Sequence, residues 1–197
     1  MNKKFIYTVV VTLLLIGGIL GYNYHQKIFG KAITKKTVLF IYSTDNLLDV
    51  EKKIANFSNH PKSFLLVAKK KKYSKPKTGR YILKEGMSNN DVVNMLRSGN
   101  QTPIKVSFNN QDTLEKLAGR IAEQLETDSI SILNSFTDEK FLSTNKLTKK
   151  SVLQICIPNS YQFYWTISAT NFRDKMLTEY NRFWNSNRVE KAKFLKM

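Results

Sequence analysis

Apolar and polar positions along the chain switch between two periods, one of two residues and one of three to four. Residues 5–22 are the exception, an 18-residue run, FIYTVVVTLLLIGGILGY, without a charge. Beyond it, residues 38–42 (VLFIY) alternate as a half-buried strand does, and Leu47, Val50, Ile54 and Phe57 then share one helical face. HPKSFLLVAKK predicts a second short helix with Pro61 in its first turn, where the missing N–H has no partner to lose. TGRYILKEG returns to the strand period. In MSNNDVVNMLRSGN, Ser88 and Asp91 have the spacing of a capping box, Val92, Met95 and Leu96 form the apolar stripe, and Gly99 supplies a left-handed stop.

The same alternation recurs downstream. Ile104, Val106 and Phe108 predict a half-buried strand, and behind Asp112 the residues Leu114, Leu117, Ala118, Ile121, Ala122 and Leu125 predict a core-facing helix. Residues 129–150 read as a short helix around 132–136 and a polar loop. SVLQICIP reads as a strand ended by Pro158, and SYQFYW as a strand or extended loop. Ser168 is placed to cap a last long helix, in which Phe172, Met176, Tyr180, Phe183 and Trp184 form a stripe that needs a partner. The fold class predicted is α+β: a transmembrane helix at 1–24, a linker at 25–37, a small strand–helix–helix–strand unit within 38–100, and part of a mixed α/β unit at 101–197. Residues 38–83 should be compact, with their two strands paired, in the element order of LysM-like modules; residues 104–165 should belong to a second sheet-containing unit.

Length and charge refine this picture. A helix of 18 residues rises about 27 Å, close to the ~30 Å of a bilayer's hydrocarbon core. A cleaved signal peptide has a shorter apolar stretch and a small-x-small site, and none follows Gly21. Tyr7, Tyr22 and Tyr24 suit the two interfaces. Lys3 and Lys4 precede the span while Lys27, Lys31, Lys35 and Lys36 follow it, so charge alone leaves the side undecided. The net charge of +17 raises nucleic-acid binding, but the densest run, KKKKYSKPK at 69–77, carries one aromatic and no recognisable nucleic-acid scaffold. It reads as a solvated helix end and loop or, if functional, as a contact for an anionic lipid surface or an anionic wall polymer.

Cys156 is the only cysteine and sits in an apolar run, which excludes an intramolecular disulfide. His25 and His60 are the only histidines, so neither a metal cluster nor a Ser/His/Asp set is expected, and no cofactor. Chemistry, if any, falls to carboxylates.

Three stretches, TGRYILKEGMSNNDVVNMLRSGNQTPIKVSF at 78–108, IPNSYQFYWTISATNF at 157–172 and MLTEYNRFWNSNRVEKA at 176–192, together resemble the YceG-like family of endolytic murein transglycosylases. That family shows a Gly-x-Tyr strand, a helix ending in Leu-x-x-Gly, an aromatic-Pro-Asp/Asn-Thr-Tyr strand and a Phe/Trp-rich helix. Here Asn159 and Ser160 stand where Asp-Thr is common, and Ile157 replaces the aromatic. The resemblance implies a single N-terminal anchor in the cytoplasmic membrane, with the C-terminal region outside the cytoplasm. It further implies a LysM-like part near the membrane and a transglycosylase domain beyond it. Implied partners are peptidoglycan glycan strands, the membrane and the cell wall synthesis machinery, and no nucleic acid.

Asn159 and Tyr161 offer amide and phenol groups for sugar hydroxyls, and Tyr164 and Trp165 flat faces for a pyranose ring. Against this, period-2 alternation would bury Tyr161 and Phe163 and let Trp165 pin the following helix. Lytic transglycosylases need one carboxyl that serves as acid and then base, with a pKa raised by an apolar site. The family places that Glu in an apolar segment after the Phe/Trp-rich helix, so it is expected beyond Met197. None of Glu115, Glu123, Glu126, Glu139, Glu179 and Glu190 has such a context, and no catalytic residue is assigned. Two readings remain: the N-terminal portion of an enzyme with an incomplete transglycosylase domain, and a non-catalytic, membrane-anchored peptidoglycan-binding or scaffold protein.

Overall fold

The computed structural model describes residues 3–195 and divides the chain into two compact units, 1–102 and 103–197. The first begins with α1 (Lys3–Phe29). Leu13, Leu14 and Leu15 point in successive directions around this helix, and each is at least 62% exposed. Being apolar on all sides, α1 buries nothing until Ile28. It is long and apolar enough to cross a membrane.

Behind it come β1 (Thr37–Ile41), α2 (Leu47–Ala55), α3 (Pro61–Lys70), β2 (Gly79–Leu83) and α4 (Asn89–Ser98). The strands pair antiparallel with Leu39 opposite Tyr81, as the sequence led us to expect. Two strands alone are marginal in water, so the inward residues Leu39, Ile41, Tyr81 and Leu83 need a cover. Val50 and Ile54 of α2, Phe64 of α3 and Leu96 of α4 supply it, all fully buried. The ends of these helices follow their sequence signals. Asn46 and Ser88 each form a capping box, with Asp49 and Asp91 respectively, and Gly99 closes α4 at φ 74°. The turn after α3 is also a left-handed cap, with Lys72 at φ 52° and the Tyr73 N–H donating to the Ala68 carbonyl, but it has lysine where glycine is cheaper.

The stretch expected to be a linker, 25–37, is instead docked. α1 continues to Phe29, Ala32 and Ile33 are buried, and both of their N–H groups donate to the Met87 carbonyl. Asn89, fully buried in the first turn of α4, donates its amide to the Lys27 carbonyl at 3.2 Å and the His60 carbonyl at 3.0 Å. It thus satisfies a terminal carbonyl of α1 and ties together the ends of α1, α3 and α4.

The second unit contains β3 (Ile104–Phe108), α5 (Leu114–Ala122), α6 (Ser129–Phe136), α7 (Glu139–Thr144), a 3₁₀ turn (Val152–Ile155), β4 (Asn159–Phe163), α8 (Ala169–Phe183) and α9 (Ser186–Phe194). β3 and β4 pair antiparallel with Val106 opposite Tyr161. Val106, Ile121, Phe136, Phe163, Phe172 and Met176 carry the core, with Phe163 and Phe172 in ring contact at 5.1 Å.

Three expectations are corrected here. SVLQICIP is not a strand: the turn at 152–155 buries Val152 and Ile155, and the strand begins after Pro158 instead of ending at it. A mostly apolar run fits either assignment, and the i,i+3 spacing of Val152 and Ile155 decides for the turn once both residues meet the core. The polar loop before it contains α7, capped by Asp138 and buried through Phe141 and Leu142. Thr113, not Asp112, caps α5 by accepting from the Lys116 N–H. The long helix capped by Ser168 forms as expected, as α8 with its stripe ending at Trp184; the separate helix α9, capped by Asn185, was not expected, and Phe183 and Trp184 remain 38% and 39% exposed.

Two substitutions test these fixings. Asn89→Ala removes the donor to two carbonyls and should cost about 2 kcal/mol, read as a lower unfolding midpoint in detergent. Lys72→Gly relieves a left-handed lysine and should raise stability by about 1 kcal/mol; an unchanged or lower midpoint would contradict the cap assignment.

Candidate functional site

The pleat of β4 sorts the four residues proposed for ligand contact. Tyr161 and Phe163 face inward at 8% and 4% exposure, and Trp165 is 6% exposed just past the strand. The Tyr161 hydroxyl donates to the Ile157 carbonyl at 2.6 Å and its ring stacks on Phe108 at 5.7 Å. Burial holds its phenol above the ordinary value, the nearby Glu179 carboxylate adding to the shift. Tyr161 and Trp165 are thus core residues, and only the 8% of Tyr161 left exposed borders a groove. Asn159 and Tyr164 are exposed, but β-strand alternation places them on opposite faces, so the four residues do not form one surface.

The outward face of the β3–β4 pair has a polar character that the sequence reading did not single out. Lys105, Ser107, Ser160 and Gln162 are exposed there, on the same parity as Tyr164, which is 57% exposed. The Ser107 and Ser160 hydroxyls share a 2.7 Å hydrogen bond. The Gln124 side chain closes the outer edge of β3, accepting from the Ser107 N–H at 3.0 Å and donating to its carbonyl at 3.1 Å. An edge so covered is not available for strand addition at that residue.

Two grooves meet at Asn159. One, of about 530 Å³, is lined by Ser107, Asn109, Arg120, Pro158, Asn159 and Ser160 among others. The smaller, about 160 Å³, is formed by Ile157, Asn159, Tyr161, Glu179, Arg182, Phe183 and Arg188. Glu179 accepts from Lys175 at 2.7 Å and from Arg182 at 3.1 Å. The Lys175 ammonium hydrogen-bonded to it holds its carboxyl below the usual value. That is the opposite of what a general acid near neutral pH requires. Arg188 lies over the Phe183 ring at 4.1 Å and donates to the Phe183 carbonyl. No helix was expected after Trp184, so these arginines were not singled out; Asn185, a capping residue followed by a polar run, was the available signal for α9.

Among the described residues, the buried polar side chains are Ser63, Ser88 and Asn89, and no Asp or Glu is among them. No three His, Cys, Asp or Glu side chains converge among those residues. Cys156 is buried, and burial pushes its thiol up.

Across residues 41–197, the sequence matches the profile of the YceG-like family. The chain belongs to the YceG-like family. Its IPNSY segment, 157–161, is thereby located at the start of β4, with Asn159 at the junction of the two grooves. A crystal structure described as that of a yceG-like protein, lmo1499 from Listeria monocytogenes, is similar to this YceG-like chain at 20% identity and a TM-score of 0.46. That similarity covers 83% of this chain and 60% of the other. No curated protein matches the sequence.

Tyr161→Phe should cost about 1 kcal/mol near neutral pH through the lost hydrogen bond. Because its folded-state pKa is raised, the tyrosine's contribution is fully present below the unfolded value near 10 and is lost as pH rises through the folded value. Unfolding midpoints measured from pH 7 to 11 should therefore fall less steeply at the alkaline end for Tyr161→Phe than for the wild type.

Proposed function

We propose that this protein acts on nascent peptidoglycan glycan strands from the outer side of the cytoplasmic membrane, as part of an endolytic transglycosylase. Membership of the YceG-like family over residues 41–197 is the observation that carries this reading. α1 is the anchor, 38–100 a LysM-like module, and the second unit holds the strand. Sugar hydroxyls meet Ser160 and Gln162 on the outward face, where one pyranose packs on Tyr164, and the Asn159 amide serves the strand at the junction of the two grooves. Arg182 and Arg188, both exposed, suit the carboxylates that peptidoglycan carries on its lactyl and peptide branches, since a guanidinium presents a planar fork of donors.

Cleavage without water needs a carboxyl that protonates the leaving glycosidic oxygen and then accepts the proton of the attacking hydroxyl of the same sugar. That role belongs to a carboxyl in an apolar setting, and the described residues bury no Asp or Glu. On this reading the general acid is not one of them. The same fact supports a second reading, in which the protein binds peptidoglycan and organises the cell wall synthesis machinery without cleaving it.

Incubating the detergent-purified chain with murein sacculi separates these roles. We expect retention on sacculi, about fivefold weaker for Tyr164→Ala and unchanged for Tyr161→Phe, with no 1,6-anhydro-muropeptides above a protein-free control. Anhydro products that disappear in Glu179→Gln would overturn the exclusion of Glu179; equal retention of wild type and Tyr164→Ala would overturn the proposed surface.

A further inference from the structure

The lysine run at the end of α3 is not absorbed by any role described so far. Between residues 52 and 84 the sequence has 11 Lys and Arg and no Asp or Glu. Lys69, Lys70, Lys72 and Lys75 are exposed, and none has an ion-pair partner among the described residues. The fold fixes where this charge stands relative to α1. The Lys70 ammonium lies over the Tyr24 ring, 5.9 Å from its centroid, two residues past the uncharged run 5–22. Residues 5–24 rise about 30 Å as a helix, so when 5–22 occupies the hydrocarbon, Tyr24 is at headgroup depth and Lys70 beside it. Leu66, one helical turn before Lys70 on the same side of α3, is 55% exposed, as an interfacial helix requires. Lys27, also exposed, adds a charge from α1 itself. At Lys72 the chain keeps a cation in a left-handed position where glycine would cost less.

We propose that the end of α3 and the turn after it form a docking surface for anionic phospholipid headgroups. Lys69, Lys70 and Lys72 supply the charge and Leu66 the apolar contact. The surface rests on the membrane-spanning reading of α1 and goes beyond it: it holds the first unit against the bilayer instead of leaving it free on a stalk. The charge complementarity favours lipid over an anionic wall polymer because the lysines are fixed at the depth of the headgroups rather than at a distance from the anchor. Each engaged lysine near an anionic surface changes association by about fivefold at low salt.

The full chain is reconstituted in phosphatidylcholine bilayers containing a trace of spin-labelled phosphatidylglycerol or spin-labelled phosphatidylcholine. Paramagnetic resonance then reads the motionally restricted fraction of each probe. A preference for phosphatidylglycerol of about fivefold or more, falling towards equality near 0.5 M salt and lost in the triple variant Lys69→Gln/Lys70→Gln/Lys72→Gln, supports the surface. Lys72→Gly, expected to stabilise the fold, should lower the preference in part, which separates charge loss from unfolding. Equal restriction of both lipids overturns the surface while leaving the spanning helix in place, and lysine-dependent retention on a teichoic-acid-type polyanion would then assign the patch to the wall. Absence of restricted lipid of either kind overturns the spanning helix and the surface together.

Discussion

The two-residue period of β4 is the constraint on which the second unit depends. A strand offers alternate side chains to opposite faces, so the aromatic residues that build the core and the polar residues left for a ligand are decided by parity. Val106 and Phe108 of β3 meet Tyr161 and Phe163 of β4 on the inner side, and Phe163 passes the contact on to Phe172 of α8. A slip of β4 by one residue would expose Tyr161 and Phe163 and bury Ser160 and Gln162. The core therefore fixes the outward face, where Ser160, Gln162 and Tyr164 of the proposed glycan surface stand.

In the first unit the corresponding role falls to hydrogen bonds at helix ends. α1 brings little apolar surface to the core beyond Ile28, and the last carbonyls of a helix need partners. Asn89 supplies one to Lys27 while also holding His60, and the Met87 carbonyl takes the N–H groups of Ala32 and Ile33. A long apolar helix is thereby continued into a folded unit without a flexible joint. The position of Lys70 beside Tyr24 follows from the same docking.

Much of this was legible in the sequence where local chemistry and tertiary packing agree. The capping boxes at Ser88 and the pairing of the first two strands follow from residue type and period alone. Where only tertiary contact distinguishes two local choices, the reading failed: residues 151–158 are mostly apolar and contain the 3₁₀ turn at 152–155, and the run 25–37 looked like a linker because its buried residues, Ile28, Ala32 and Ile33, are few and widely spaced. For the proposed site, the residues singled out lie on or just past β4, but composition could not assign their faces. Tyr161 and Trp165 went to the core, Asn159 and Tyr164 remained exposed, and the arginines of α8 and α9 entered the groove only through folding.

Hydrogen–deuterium exchange of the full chain with and without uncrosslinked glycan strands bears most directly on the assignment of the second unit as the glycan-binding surface. Protection concentrated at 158–164 and 182–188, with the amides of α5 and α6 unchanged, is the result expected. Protection confined to residues 38–100, or none in either unit at saturating glycan, would contradict it.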